Sequence, residues 1–491
     1  MPISPPRWFL ATAAIVALSL LVWHGTRVSV GVLDWDTYER LLFLPHYDLR
    51  AGTGDGHVLL HRTATALMAL GLDVREALLL LNALGFGALL AAATHVGRAR
   101  GLTGLRLGLA VGVLAIASPG ITAMVTMVED NVLYHAPLLL ALHALTAPGD
   151  SRRQDVRRGL VAGSMLALAM LTNITALVFL FLLPLAAILA ALHRSGDAIR
   201  LTTAGAATLA VYYLFHATVL AGAPVAMHTF LPQALALRDF GPTAAPLLSL
   251  ERLEQVLVGF RAMALRPTLH AMAAPAWLTA TLSLVAPVVL LASYLVLARG
   301  ALPARDADAR AHLLPAAVAA VALAFPFFYE PVLIERWDMF WLVLWLGLVA
   351  RLLRPLPRLP AGALAAALAL QTSASVLVIA HQVGRVFETP NQAQTRQTLT
   401  AALAERAEAV VLPHDIDRQD LAHLYFHLQD RAVFLVGAGR GGATCHQEMI
   451  PLREVPRACA EVADALAVAE RTLVDPRVTP GWAPDRRTTW R

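Results

Sequence analysis

The side chains best placed for proton transfer fall in one short run, Asp34-Trp35-Asp36-Thr37-Tyr38-Glu39-Arg40, within about a dozen residues of the end of an apolar stretch, Trp8 to Trp23. A carboxylate there can accept a proton from an attacking hydroxyl or amine, while Trp35 and Tyr38 can sit at a membrane interface. The competing reading is a solvated loop whose acids simply face water. Glu129-Asp130-Asn131 places two adjacent carboxylates at the end of an apolar helix, which is costly unless they are solvated, paired or metal-bound. A surface turn would also use polar residues there. Glu335-Arg336-Trp337-Asp338 offers a guanidinium fork suited to a phosphate or pyrophosphate, or else an internal ion pair among Glu335, Arg336 and Asp338. His57, His61 and Arg62 open a helical apolar pattern, and His57 and His61 at i, i+4 share one face, as a phosphate or metal site would need. They could equally be a polar helix face, since no complete ligand set is visible.

The elements that must position these residues follow from composition. Of 491 residues, 57% are hydrophobic and 15% charged, too little charge to cover a soluble protein of this length. All of the basic residues are arginine, which with abundant Ala, Leu, Gly and Pro points to a GC-rich, bacterial coding sequence. The net charge of +5 is spread through loops, where it serves membrane topology, and nucleic-acid binding is not expected. No small-x-small cleavage site follows Trp8–Trp23, so this stretch reads as an uncleaved first helix.

With roughly 20 apolar residues needed per crossing, spans are expected at Trp8–His24, Ala77–Val96, Leu107–Met127 and Val132–Ala147. Further spans are expected at Leu201–Ala221, Trp277–Leu297, Leu313–Tyr329, Trp337–Leu353 and Ala361–Ala380. Leu160–Leu192 is too long for one crossing and short for two. Arg157 and Arg158 precede it and Arg194 and Arg200 follow it, so it reads as a hairpin bending near Thr172, Asn173 and Thr175. The count is about eleven crossings, with the arginine-rich loops and the N-terminus cytoplasmic and the C-terminus outside. The first loop, the turn at Glu129-Asp130, the loop from Ala223 to Pro275 and the turn at Glu330–Asp338 then share the outer face.

Residues 1–382 form the transmembrane domain in this reading and 383–491 an outer domain. Its pattern gives a helix at Thr395–Ala407, a strand at Ala409–Leu412, a helix at Gln419–Gln429, a strand at Ala432–Val436 and an amphipathic segment at Val455–Arg471, hence a small α/β fold. Its two cysteines, Cys445 and Cys459, either pair or remain thiols.

Several motifs are set aside. Gly437, Gly439 and Gly442 match a dinucleotide fingerprint, but Pro451 and polar residues follow where a helix should open. Asn173-Ile174-Thr175 matches a glycosylation sequon at membrane depth, and His423 and His427 read as the wet face of a helix. No Ser-His-Asp order or Walker loop emerges. A transporter or flippase of a lipid-linked envelope precursor, the alternative function, would carry ionisable groups deep in several spans, where only His143 and His216 stand out. A non-catalytic envelope scaffold is a third reading.

The arrangement resembles the GT-C superfamily of membrane glycosyltransferases. The likeness rests on Asp34 and Asp36 in a long first outer loop, Glu129-Asp130 at the second outer turn, the hairpin with Leu171-Thr172-Asn173, Arg336 before a late span, and an outer C-terminal domain. It implies a mainly α fold: a polytopic transmembrane bundle with juxtamembrane helices in the first outer loop and a small extracytoplasmic α/β domain. It also implies inverting transfer of a sugar from a polyprenyl phosphate or pyrophosphate carrier to a lipid, glycan or protein acceptor, at the outer face of the bacterial cytoplasmic membrane. By this resemblance Asp34 or Asp36 is the general base or orients the acceptor. Glu129 and Asp130 hold the acceptor or a divalent metal such as Mg or Mn, and Arg336, with His57, His61 or Arg62, binds the carrier phosphate. Branches of the superfamily differ in their need for a metal, so the cofactor stays open.

Overall fold

The computed structural model describes residues 57–72, 74–116, 131–147, 149, 151–219, 225–235, 249–264, 275–277, 313–328, 337–353, 390–414, 431–439, 442–449 and 453–478. Its contacts divide the chain into two compact units, which hold the described residues up to 353 and from 390 onward, respectively.

The first unit is helical: α1 Val58–Ala69, α2 Val74–Ala99, α3 Gly104–Ile116, α4 Asn131–Thr146, α5 Arg152–Thr172, a 3-10 segment Ile174–Leu182, α6 Leu185–Ala191, α7 Ser195–Thr218, α8 Ala226–Leu235, α9 Leu250–Ala264, α10 Leu313–Phe328 and α11 Asp338–Leu352. Among the described residues, Glu76–Ala99, Ile174–Ala191 and Ser195–Thr218 are long and apolar enough to cross a membrane, and Gly104–Ala115, Val132–Thr146 and Leu313–Pro326 are shorter apolar helices. This is the build of an integral membrane protein. The expected spans Trp8–His24 and Ala361–Ala380, nearly all of Trp277–Leu297 and the end of Leu107–Met127 lie outside the described residues. The expected Ala223–Pro275 loop contains two helices, α8 and α9.

The hairpin is present, and its physics is local. Helix α5 starts at Ser151, whose Oγ accepts from the Gln154 amide at 3.3 Å. It stops at Asn173, whose extended backbone (φ −146°, ψ 114°) breaks the helical ladder. The Asn173 Oδ1 then accepts from the Thr175 amide at 3.0 Å and from its hydroxyl at 2.6 Å, so one side chain ends one helix and opens the next segment. The nine 3-10 residues advance about 2.0 Å each, against about 1.5 Å in an α-helix. With α6 the return limb therefore reaches roughly 30 Å, the hydrocarbon thickness, in only 18 residues.

Packing confirms the direction of that limb. A Cβ on Gly159 would meet the Arg200 carbonyl and Thr203, and one on Gly163 would lie 2.7 Å from the Ala207 Cβ. The Thr208 hydroxyl donates to the Gly163 carbonyl at 3.2 Å and to that of Ala204 at 2.8 Å. Residue numbers rise together across this small-residue seam, so α5 and α7 run parallel, and the chain must return between them.

At the arginine-rich end a buried ionic knot ties three helices. Arg200, 2% exposed, donates to Asp155 Oδ1 at 2.7 Å from Nη2 and to the Leu145 carbonyl at 2.8 Å from Nη1. Asp197 lies 3.3 Å from Arg200 and 2.7 Å from Arg194. Two cations face two carboxylates, so the buried charge is balanced.

The second unit is a five-stranded sheet in the order β4-β3-β2-β1-β5, with β1 Ala409–Pro413, β2 Ala432–Gly439, β3 Gly442–Met449, β4 Arg453–Arg457 and β5 Thr472–Val474. Helices α12 Pro390–Ala404 and α13 Cys459–Val468 accompany it. Strand β1 is parallel to β2 and to β5, whereas β2, β3 and β4 form an antiparallel run. The three glycines 437, 439 and 442 belong to the β2–β3 hairpin, with Gly439 opposite Gly442, so a strand follows where a dinucleotide site would need a helix. The segment Val455–Arg471 is a correction: strand β4, the helix α13 and the approach to β5 replace one amphipathic run. Pro456 explains the difference, because it cannot donate within a helix yet is tolerated on the edge strand β4. The expected helix Gln419–Gln429 lies outside the described residues. Val462 and Leu466, one helical turn apart, pack with Val411, Phe434, Val436 and Cys445 in the core. Cys445 and Cys459 are joined as a disulfide, with Cα atoms 5.1 Å apart.

Asp475 is fully buried. Burial alone would raise its pKa, but bonds from Arg477 and from the Thr398 hydroxyl, the latter at 2.6 Å, hold the carboxyl below its ordinary range.

Candidate functional site

The direction of each helix decides which residues share an end of the bundle. Helices α2 and α4 run parallel: Gly85 packs on Leu133, and farther along Arg100 donates to His143 Nδ1 at 3.3 Å and to the Thr146 hydroxyl at 2.8 Å. The Leu145 carbonyl of α4 meets Arg200 near the start of α7, so α4 opposes α7. The starts of α2 and α4 and the ends of α5 and α7 therefore gather at the end remote from the arginines. Helix α1 belongs there too, because a short turn with Gly71 at φ 101° joins it to the start of α2.

At that end, His135 of α4 and Asp338 of α11 meet. His135 is 0% and Asp338 2% exposed, and His135 Nε2 lies 3.2 Å from Asp338 Oδ2. The two atoms lie within ion-pair distance of each other, although the pair does not meet hydrogen-bond geometry. Tyr134 leans on the imidazole with centroids 4.5 Å apart, and the fully buried Trp337 packs edge-on against Phe340. Asp338 also begins α11, where the helix dipole favours a carboxylate.

A second polar group joins the end of α7 to the start of α8. The Tyr212 hydroxyl accepts from the Met227 amide at 3.3 Å, the Tyr213 hydroxyl lies 3.0 Å from His228 Nε2, and the His216 ring is tilted by 49° against that of Tyr212 with centroids 4.7 Å apart. His216 is buried, and neither ring nitrogen has a hydrogen-bond partner among the described residues. Arg252 of α9 is also fully buried.

Asp34, Asp36, Glu129, Asp130 and Arg336 lie outside the described residues. His57, His61 and Arg62 are described. His57 precedes the first turn of α1, and His61 is turned into the packing, 5% exposed, with its amide bonded to the His57 carbonyl at 3.2 Å. His61 is therefore part of a buried face, and Arg62 is half-buried beside it. Among the described residues no three His, Cys, Asp or Glu side chains gather as metal ligands.

The sequence reading passed over His135 when it counted only His143 and His216 within the spans. Its signal was there: a histidine one turn after an acidic pair, inside an otherwise apolar helix. Asp338 was weighed only as an ion-pair partner for Arg336. Tyr212 and His216, at i, i+4 near the end of a span, carried a similar signal.

No family model and no curated protein matches the chain. Solved structures do. The chain is similar to ArnT from Cupriavidus metallidurans bound to undecaprenyl phosphate, at 14% identity and a TM-score of 0.41, over 89% of this chain and 87% of that one. It is similar to the same ArnT in the apo state at 13% identity and a TM-score of 0.38, over 88% and 86% of the two chains.

Proposed function

We propose that this protein transfers a sugar from a polyprenyl phosphate or pyrophosphate carrier to a lipid, glycan or protein acceptor at the outer face of the bacterial cytoplasmic membrane, as an inverting glycosyltransferase of the GT-C kind. One observation carries the reading. The His135–Asp338 contact joins the helix that follows Glu129-Asp130 to the helix that follows Arg336. Two of the sequence motifs thereby lead into neighbouring helix starts at one end of the bundle. His61 is brought toward the same end by α1.

In this mechanism an acceptor hydroxyl or amine attacks the anomeric carbon as its proton passes to Asp34 or Asp36. The bond from that carbon to the carrier oxygen breaks, and the electron pair leaves with the phosphate. Arg336, with His57, His61 or Arg62, offsets the charge that develops there. Glu129 and Asp130 hold the acceptor, and no step is assigned to a metal. Attack opposite the leaving group inverts the sugar. The Cys445–Cys459 disulfide supports placing the C-terminal domain outside the cytosol, because such bonds persist in oxidising compartments.

The test is transfer in reconstituted membranes from polyprenyl-phosphate donors, comparing the intact chain with Asp34→Asn, Asp36→Asn and Asp130→Asn. Loss of transfer in Asp130→Asn and in one of the other two is expected. Full transfer by all three variants overturns the catalytic assignment, and no transfer by the intact chain with a broad donor panel overturns the function.

A further inference from the structure

Two groups of arginines sit at the basic end of the bundle, and they differ in how their charge is balanced. Arg200 and Arg194 face Asp155 and Asp197. A few residues away, Arg100 at the end of α2, His143 in the last turn of α4 and Arg158 in the second turn of α5 form a group that no carboxylate joins among the described residues. Arg100 spends Nε on His143 Nδ1 and Nη2 on the Thr146 hydroxyl, both neutral acceptors. Arg158 and His95 are near enough to His143 to act on it electrostatically. The Arg158 Nη1 is buried and has no hydrogen-bond partner among the described residues. Asp155, three residues before Arg158, is held by Arg200 at 2.7 Å and does not serve.

Half-buried cations without a counter-charge are costly, and an anion from outside the chain supplies the one that the described residues do not. The surroundings select its kind. Leu160 and Val161, next to Arg158 along α5, are 49% and 45% exposed, while Leu105 and Leu109 at the start of α3 are 90% and 47% exposed. Such side chains face hydrocarbon in a membrane protein, so an anionic group and acyl chains find their places side by side.

We propose that Arg100, Arg158 and His95, at the basic ends of α2 and α5, bind the phosphate headgroup of an anionic membrane lipid. This site lies at the opposite end of the bundle from the proposed transfer chemistry and does not depend on it.

Native mass spectrometry of the purified full chain, titrated with phosphatidylglycerol, phosphatidylcholine or inorganic phosphate, tests the proposal. Phosphatidylglycerol is expected to stay bound in preference to phosphatidylcholine. Arg158→Gln should weaken it about fivefold, the worth of one basic residue at a lipid surface, and Arg100→Gln with Arg158→Gln further. Arg153→Gln, an exposed arginine one turn earlier, should change nothing. Equal weakening by Arg153→Gln would reveal diffuse attraction and overturn the site. So would equal retention of phosphatidylcholine, and displacement of the lipid by equimolar inorganic phosphate would reassign it to a soluble anion. Because Arg100 also braces α4, its variant is checked by size exclusion; if it does not fold, Arg158→Gln alone decides, since its free Nη1 has no protein partner among the described residues to lose.

Discussion

A double-variant cycle on His135 and Asp338 tests whether their contact holds α4 against α11. His135 Nε2 and Asp338 Oδ2 lie 3.2 Å apart with both side chains buried, and residues in such direct contact couple by about 0.5–3 kcal/mol. Each single change removes that coupling, and leaving a buried polar group without one of its contacts costs about 1–3 kcal/mol. His135→Gln and Asp338→Asn should therefore each destabilise the bundle by about 2 kcal/mol, and the double variant by clearly less than the sum of the two. Melting of the detergent-solubilised chain, followed by tryptophan fluorescence, gives the three values, and sugar transfer should fall with stability. Losses that add within about 0.3 kcal/mol refute the coupling.

Other outcomes follow from the packing and from the second unit. Gly163→Ala should destabilise by about 1–3 kcal/mol, because its Cβ would enter the α5–α7 seam, whereas Gly108→Ala, with nothing within 4 Å, should raise the melting temperature slightly. Reduction of Cys445–Cys459, or Cys445→Ser, should cost the second unit about 3 kcal/mol, from the 14-residue separation it closes, read as faster hydrogen exchange in β3 and α13. The depressed Asp475 carboxyl contributes stability that is complete above its unfolded value near 3.9 and lost as pH falls through its lower folded value. Exchange of the amides in β5 should accelerate in that acid range, and Thr398→Ala should move the onset to higher pH.

Hydropathy and arginine placement made much of the helical unit legible. Asp338–Leu352 and Leu313–Phe328 fall almost on the expected spans, and the break at Asn173 was visible because basic flanks demanded an even number of crossings. The 3-10 geometry of Ile174–Leu182 was not visible, since an apolar run has the same composition in either helix type. The strand β4 was hidden for a related reason: Val455, Ala458, Val462 and Leu466 read as one helical face until Pro456 and the pairing with β3 are taken into account. His135 and Asp338 are 203 positions apart in sequence, and neither periodicity nor spacing reports a contact at that range.

The shared end of the proposed site now has two independent arguments. The first is charge: arginine-rich loops mark one side of the membrane. The second uses no loop charge at all. Gly85 with Leu133 and Arg100 with Thr146 make α2 and α4 parallel, Gly159 with Thr203 and Gly163 with Ala207 make α5 and α7 parallel, and the Arg200 bond to Leu145 sets α4 against α7. Trp345 donates to the Ala110 carbonyl at 2.7 Å while Leu353 approaches Gly101, so α11 runs back toward the arginine-rich end after leaving His135. A parity error in the charge count would have placed α11 the other way, with Asp338 near Arg100 and Leu353 near His135. The contacts exclude that arrangement, and they bring the first residues after Glu129-Asp130 and after Arg336 to the same end by packing alone.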